Sequence, residues 1–183
     1  MSEFERIGGE EKFAGRIGTL RVDRFRHADG TVVEREVMDH PGAVGIVAHD
    51  DLHVWLVRQP REATGEPGLL EIPAGRLDVP GEAPLDAARR ELAEEIGKSA
   101  RTWEPIVSFY SSPGFTNERV HLFLASELGE AHAASEEDER IEVVAWPLDD
   151  LEGAIDACQD SKSLIGLLWL RDAVERPEDD LTA

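Results

Sequence analysis

The strongest periodicity in the chain lies between Pro84 and Ile96. Apolar Leu85, Ala88, Leu92 and Ile96 recur there at steps of three and four residues, the repeat of an α-helix that buries one side. Pro84 suits the first turn, where its missing N–H is no loss, and Gly97 suits the stop, where a helix often ends in a left-handed residue. The same segment sets Glu91, Glu94 and Glu95 at i, i+3 and i+4, so three carboxylates share about 100° of arc beside the apolar stripe. Like charges at that spacing destabilise a helix by a few tenths of a kcal/mol, roughly. A hard divalent cation would remove the conflict, and oxygen-only donors favour Mg²⁺ or Mn²⁺ over zinc. On spacing alone, a solvated acidic helix face stands as the other reading.

Around this helix the chain reads mainly as strands. Thr19 to Phe25 and Thr31 to Met38 flank the turn signal His27-Ala28-Asp29-Gly30, which predicts an N-terminal hairpin. Ala43 to Ala48 and Leu52 to Val57 are apolar and β-branched on either side of His49-Asp50-Asp51, and Leu69 to Ile72 is a shorter run. Strands are predicted again at Pro105 to Tyr110, Arg119 to Ala125 and Ile141 to Trp146, then helices at Leu148 to Cys158 and Ser163 to Val174. The reading divides the chain into a β module at 1–42, a main domain at 43–176 and a flexible tail at 177–183.

At 183 residues the chain is long enough to bury a core without disulfides. Cys158 is its single cysteine, so it forms no internal disulfide and reads as a small buried side chain, in keeping with a reducing cytoplasm. No apolar run approaches the roughly 18 residues that span a bilayer, and the acidic start MSEFERIGGEEKF has no apolar segment. The expectation is a cytoplasmic protein with no membrane partner. A net charge of −20 repels nucleic-acid phosphates, so a nucleic-acid partner is not expected, and a phosphorylated ligand would need a cation as intermediary.

Gly75-Arg-Leu-Asp-Val-Pro-Gly-Glu82, followed by Arg90-Glu91-Leu92-Ala93-Glu94-Glu95-Ile96-Gly97, resembles the Nudix box GX5EX7REUXEEXGU, where U is aliphatic. Glu82 and Arg90 are separated by seven residues, as the pattern requires. The sequence departs from it in two places: six residues rather than five separate Gly75 from Glu82, and Lys98 replaces the final aliphatic residue. The longer loop sets Glu82 one residue further from Gly75 than the pattern does. The resemblance implies an α/β fold, a Nudix-type α/β/α sandwich with a mixed β-sheet and the N-terminal β-hairpin module. It implies metal ligation by Glu91, Glu94, Glu95 and the carbonyl of Ala74, with Glu94 also catalytic, and Arg90 holding the glutamates by ion pairing.

Val57-Arg58-Gln59-Pro60-Arg61, Leu70-Glu71-Ile72-Pro73-Ala74-Gly75, and Pro113 sixteen residues after Gly97 resemble the ADP-ribose pyrophosphatase branch. The resemblance covers roughly residues 13 to 175. It implies hydrolysis of ADP-ribose to AMP and ribose 5-phosphate, with Mg²⁺ or Mn²⁺ neutralising the diphosphate and activating water. Glu71, Arg61 and Arg58 are the expected substrate contacts, since guanidinium groups fork onto phosphate oxygens. The branch draws its base from an acidic loop ahead of an I-E-V strand, here Glu136-Glu137-Asp138-Glu139-Arg140-Ile141-Glu142-Val143. Glu139 fits the branch's spacing best, Glu137 is the alternative, and a merely charged loop is a third reading. Arg35-Glu36-Val37 and the hairpin resemble a module that the branch exchanges between subunits, which implies a homodimer. Two other functions stay open: hydrolysis of another nucleoside diphosphate sugar, dinucleotide or flavin nucleotide, and a non-catalytic Nudix-fold nucleotide sensor, in which the box glutamates would be expected to erode.

Overall fold

The computed structural model describes residues 3–131 and 140–175. The chain forms two compact units: Met1–Gly42 with Phe109–Val120, and Ala43–Ser108 with the chain from His121 onward. The tail at 177–183 lies outside the described residues.

The first unit holds an antiparallel sheet of three strands, β1 (Phe4–Ala14), β2 (Thr19–His27) and β3 (Val32–Asp39), in the order β1-β2-β3. The β2–β3 hairpin runs in register from Thr19 opposite Asp39 to Arg26 opposite Val32. Gly30 takes φ of 85° at its tip, a conformation that glycine adopts without penalty, while the Asp29 carboxylate accepts the Thr31 N–H at 2.9 Å. β1 is a strand the sequence reading leaves out. Its Gly8-Gly9 and Glu10-Glu11 pairs erase the alternation of a half-buried strand, and the pairing with β2 shifts register near Gly8 and near Phe13. Asp23 is a buried charge in this sheet. It accepts from Arg6 Nη2 at 2.7 Å and lies 3.4 Å from Arg21 Nε, and it is held below the usual carboxylate range by the Arg6 hydrogen bond, against its burial and with help from Arg21.

The second unit is built on a larger sheet with strands β4 (Ala43–His49), β5 (His53–Arg61), β6 (Glu66–Glu71), β7 (Ala74–Arg76), β8 (Lys98–Tyr110), β9 (Arg119–Glu130) and β10 (Glu142–Pro147). The order is β10-β5-β4-β9-β8, with β6 on β5 and β7 on β4, in a mixed α/β architecture. Helices α1 (Pro84–Ile96), α2 (Leu151–Ala157) and α3 (Ser161–Glu175) complete it. Alternation along β4 decides the layering. Val44, Ile46 and Ala48 pack in one cluster with Ala87, Ala88, Leu92 and Ile96 of α1. A Cβ at Gly166 of α3 would meet Val47, Ile72 and Leu122, and one at Gly45 would meet Leu122 and Ile72. The even β4 residues therefore face α1 and the odd ones face α3, so each helix needs a small or apolar stripe on its own side of the sheet.

The predicted helix at Pro84 to Ile96 is found with those bounds, Pro84 in its first turn and Gly97 at φ of 67° returning its N–H to Ala93. Two strands run further than their sequence pattern suggests. β8 starts at Lys98 rather than Pro105, and β9 continues past Ala125 to Glu130. Both extensions mix polar residues that face solvent and pair with each other, as in Lys98 Nζ to Glu130 at 3.0 Å and Thr102 Oγ1 to Glu127 at 2.8 Å. The segment predicted as one helix from Leu148 divides into a 3₁₀ turn at Leu148–Asp150 and the short α2.

Candidate active site

Burial on α1 follows Ala88, Leu92, Glu95 and Ile96, so the edge of the apolar stripe carries an acid into the protein. Glu95 is 8% exposed, and one of its carboxylate oxygens accepts the Ala74 N–H at 2.9 Å. The helix is thereby tied to the corner between β6 and β7, where Ile72-Pro73-Ala74-Gly75 runs. Ile46 N donates to the Pro73 carbonyl at 2.8 Å and holds that corner against β4. Gly75 is needed for contact rather than for φ: a Cβ there would fall onto the carboxylate of Glu91.

Arg90 gathers the remaining acids of the box. Its Nη1 donates to Glu91 at 2.7 Å and to Glu94 at 2.9 Å, while Nε and Nη2 fork onto the two oxygens of Glu82 at 3.2 and 3.1 Å. The loop before α1 is one residue longer than the family pattern, yet it still delivers Glu82 to this fork, through Gly81 at φ of 81°. The guanidinium pKa is raised, led by the Glu82 hydrogen bonds and opposed by burial. Among the described residues no three His, Cys, Asp or Glu side chains converge as a metal cluster. Glu91 and Glu94 are turned toward Arg90 and Glu95 toward Ala74 N, so each has a protein donor. The donor set nevertheless fits a hard divalent cation: it is all oxygen, it crowds Glu82, Glu91 and Glu94 around one arginine, and the missing side chain at Gly75 lets the Glu91 carboxylate lie directly against the backbone that carries the Ala74 carbonyl.

A second charged group lies beside the same corner. Glu71, 3% exposed, receives a fork from Arg61, Nε to Oε1 at 3.0 Å and Nη2 to Oε2 at 2.5 Å. Gln59 Nε2 reaches Glu71 at 3.4 Å, and so does Lys162 Nζ from α3. The Arg61 pKa is raised chiefly by its hydrogen bond to Glu71, with burial opposing and Glu95 and Asp160 adding attraction. Glu95 thus lies within electrostatic reach of Arg61. The structure separates the two arginines of the Val57 to Arg61 stretch. Val57 lies opposite Glu71 and Arg58 opposite Leu70, so alternation sends Arg58 to the other face of β5, where its Nε is 3.6 Å from Glu142. Glu139, Glu137 and the rest of 132–139 lie outside the described residues.

Cys158 is buried, and burial pushes its thiol up to about 12, far from the thiolate a nucleophile requires. Lys162, Asp160 and Gln59 are absent from the sequence-based candidates. Lys162 is 91 positions from Glu71, and only the packing of α3 against the sheet brings them together.

Acids crowded on one helix edge, an arginine that orders them and a glycine that lets the facing backbone approach them form a single oxygen-lined cluster. The NUDIX domain profile matches residues 38–166, and the chain belongs to that family. The ADP-ribose pyrophosphatase of Mycobacterium tuberculosis is 45% identical over 139 residues, 74% of this chain and 67% of the relative. That of Bacillus subtilis is 37% identical over 177 residues, 92% of this chain and 93% of the relative. The methanol dehydrogenase activator of Bacillus methanolicus is 36% identical over 176 residues, with 93% and 94% covered. The crystal structure of an ADP compounds hydrolase superposes with a TM-score of 0.82 at 23% identity, over 94% of this chain and 95% of that one, and shows the same fold.

Proposed function

We propose that this chain hydrolyses the diphosphate bond of ADP-ribose, giving AMP and ribose 5-phosphate, as a Mg²⁺-dependent homodimer of the cytoplasm. The observation that carries the reading is the pairing of two groups at one corner: the acids ordered by Arg90, and the Arg61 fork on buried Glu71. Relatives named as ADP-ribose pyrophosphatases that match 92% of the chain support the substrate.

Glu91, Glu94 and Glu95, with the Ala74 carbonyl, would hold the divalent cations; when bound, these supply charge neutralisation at the diphosphate and activate water. Arg90 keeps the carboxylates aligned and limits their mutual repulsion. Arg61, fixed by Glu71 through two of its nitrogens, directs its remaining edge at the phosphate oxygens or ribose. Glu139 is the proposed base: it orients the attacking water and takes its proton as the new P–O bond forms and the bridging P–O bond breaks. Glu94 assists at the same centre. The N-terminal sheet is the proposed dimerisation element. No helix among the described residues is long and apolar enough to cross a membrane.

The test is a panel of ADP-ribose, other nucleoside diphosphate sugars, dinucleotides and flavin nucleotides, with AMP and sugar phosphate quantified with and without Mg²⁺. ADP-ribose is expected to be hydrolysed with the highest kcat/KM. Preference for another compound would overturn the substrate, and no turnover of any would favour a nucleotide sensor.

A further inference from the structure

The start of α3 is fastened to the corner that carries the box's facing residues. Ser163 is fully buried, and its hydroxyl oxygen accepts the Ile72 N–H at 2.8 Å. Asp160 caps the helix, with one carboxylate oxygen accepting Ser163 N at 3.2 Å and Lys162 Nζ at 2.8 Å. The other oxygen of Asp160 is buried with no hydrogen-bond partner among the described residues. Lys162 is itself mostly buried and spans two acids, Asp160 at 2.8 Å and Glu71 Oε2 at 3.4 Å.

Glu71 therefore lies between two cations, Arg61 from β5 and Lys162 from α3, and both address Oε2. A carboxylate this buried needs compensation, and its side chain turns toward whatever donors are present. With Lys162 in place, Glu71 is pinned on the α3 side and presents both oxygens to Arg61. Without it, only the long Gln59 hydrogen bond at 3.4 Å holds the carboxylate against Arg61, and the fork loses its charged anchor on the α3 side.

We propose that Lys162 is a positioning residue for substrate binding: anchored by Asp160, it fixes Glu71 so that Arg61 is held in the orientation that receives the substrate's phosphate or ribose oxygens. This rests on the assignment of Arg61 as a substrate contact. Lys162 acts through Glu71, without touching the substrate, so its removal raises KM and leaves kcat nearly unchanged.

The experiment compares native protein with Lys162→Gln, Lys162→Arg, Glu71→Gln and the Glu71→Gln/Lys162→Gln double variant, on whichever panel compound the native protein hydrolyses fastest. Lys162→Gln is expected to raise KM about tenfold with kcat within about twofold, and Lys162→Arg to restore most of the loss. In the Glu71→Gln background, Lys162→Gln is expected to add almost nothing, since both changes act on the same fork. Thermal unfolding of each variant separates this from collapse of α3: a merely structural lysine would lower Tm and kcat together. An unchanged KM in Lys162→Gln, or effects of the two substitutions that simply add, would overturn the proposal alone. Absence of any turnover by the native protein would overturn the functional reading and this proposal with it.

Discussion

Arg90→Gln separates the organising role of Arg90 from the chemistry of the glutamates. Arg90 makes four hydrogen bonds between 2.7 and 3.2 Å to Glu82, Glu91 and Glu94, whose side chains are only 12–26% exposed. Charge-assisted bonds of this kind contribute about 1.5–3 kcal/mol each when fully buried, and less when shared and half-solvated. Removing the guanidinium also leaves three acids facing one another, so a total loss of about 3 kcal/mol is expected. For a chain of this size that lowers Tm by about 6–12 °C. A divalent cation offers the same carboxylates another positive partner. At ten times its Kd it would return about 1.4 kcal/mol. Thermal and urea unfolding of native and Arg90→Gln protein, in EDTA and across a Mg²⁺ titration, would measure both effects. The variant should be much weaker in EDTA and should recover a larger share of its stability from Mg²⁺ than the native protein does. A deficit below about 1 kcal/mol in EDTA, or one that Mg²⁺ leaves unchanged, would refute the claim that Arg90 balances the cation-binding acids.

Gly75→Ala should abolish most turnover, because its Cβ would fall on the Glu91 carboxylate; a variant with native kcat and native Mg²⁺ dependence would show that this close approach is dispensable. Asp23 has a folded pKa below its unfolded value of about 3.9, so its contribution is present above that value and is lost as pH falls through the lowered one. The Tm gap between native protein and Asp23→Asn should therefore hold steady above about pH 5 and narrow as pH falls below about 4, and a gap that stays constant on acidification would contradict the linkage. With its thiol pushed up to about 12, Cys158 should react with a thiol reagent at about pH 8 only as fast as the protein unfolds, and rapid labelling of the folded protein would show the burial to be wrong.

The parts of this fold that can be read from the sequence are those in which side chains repeat with the backbone. α1 announced itself by its apolar stripe and its Pro and Gly ends, and β4 and β5 by apolar, β-branched runs about the Asp50 turn, whose carboxylate accepts from Leu52 N, His53 N and Trp55 Nε1. β1 is not legible because it is held by strand pairing and buries little on either face, and the first half of β8 is not legible because only Ala100 and Trp103 mark its inner face among polar residues. The box acids were legible through their spacing. Their orientation was not: the two oxygens of Glu82 and the single oxygens of Glu91 and Glu94 are distributed by one guanidinium in space. The Val57 to Arg61 stretch offers Arg61 and, after it, Arg58 as substrate contacts, although alternation along β5 sends them to opposite faces. Lys162 carried no local signal, since its partner Glu71 is brought to it only when α3 packs on the sheet.

In the proposed mechanism the acids of α1 hold the divalent cations on which ADP-ribose hydrolysis depends. The most direct test is the initial rate of AMP release from ADP-ribose as a function of Mg²⁺, for native protein and Glu95→Gln. The substituted amide would keep the shape and an oxygen for the Ala74 N–H while removing the charge, so the fold should persist. Saturable, Mg²⁺-dependent turnover is expected in the native protein, with a loss of at least about a hundredfold in the variant at unchanged Tm. Native turnover that needs no divalent cation, or a variant that keeps its rate, would rule out cation binding by these acids.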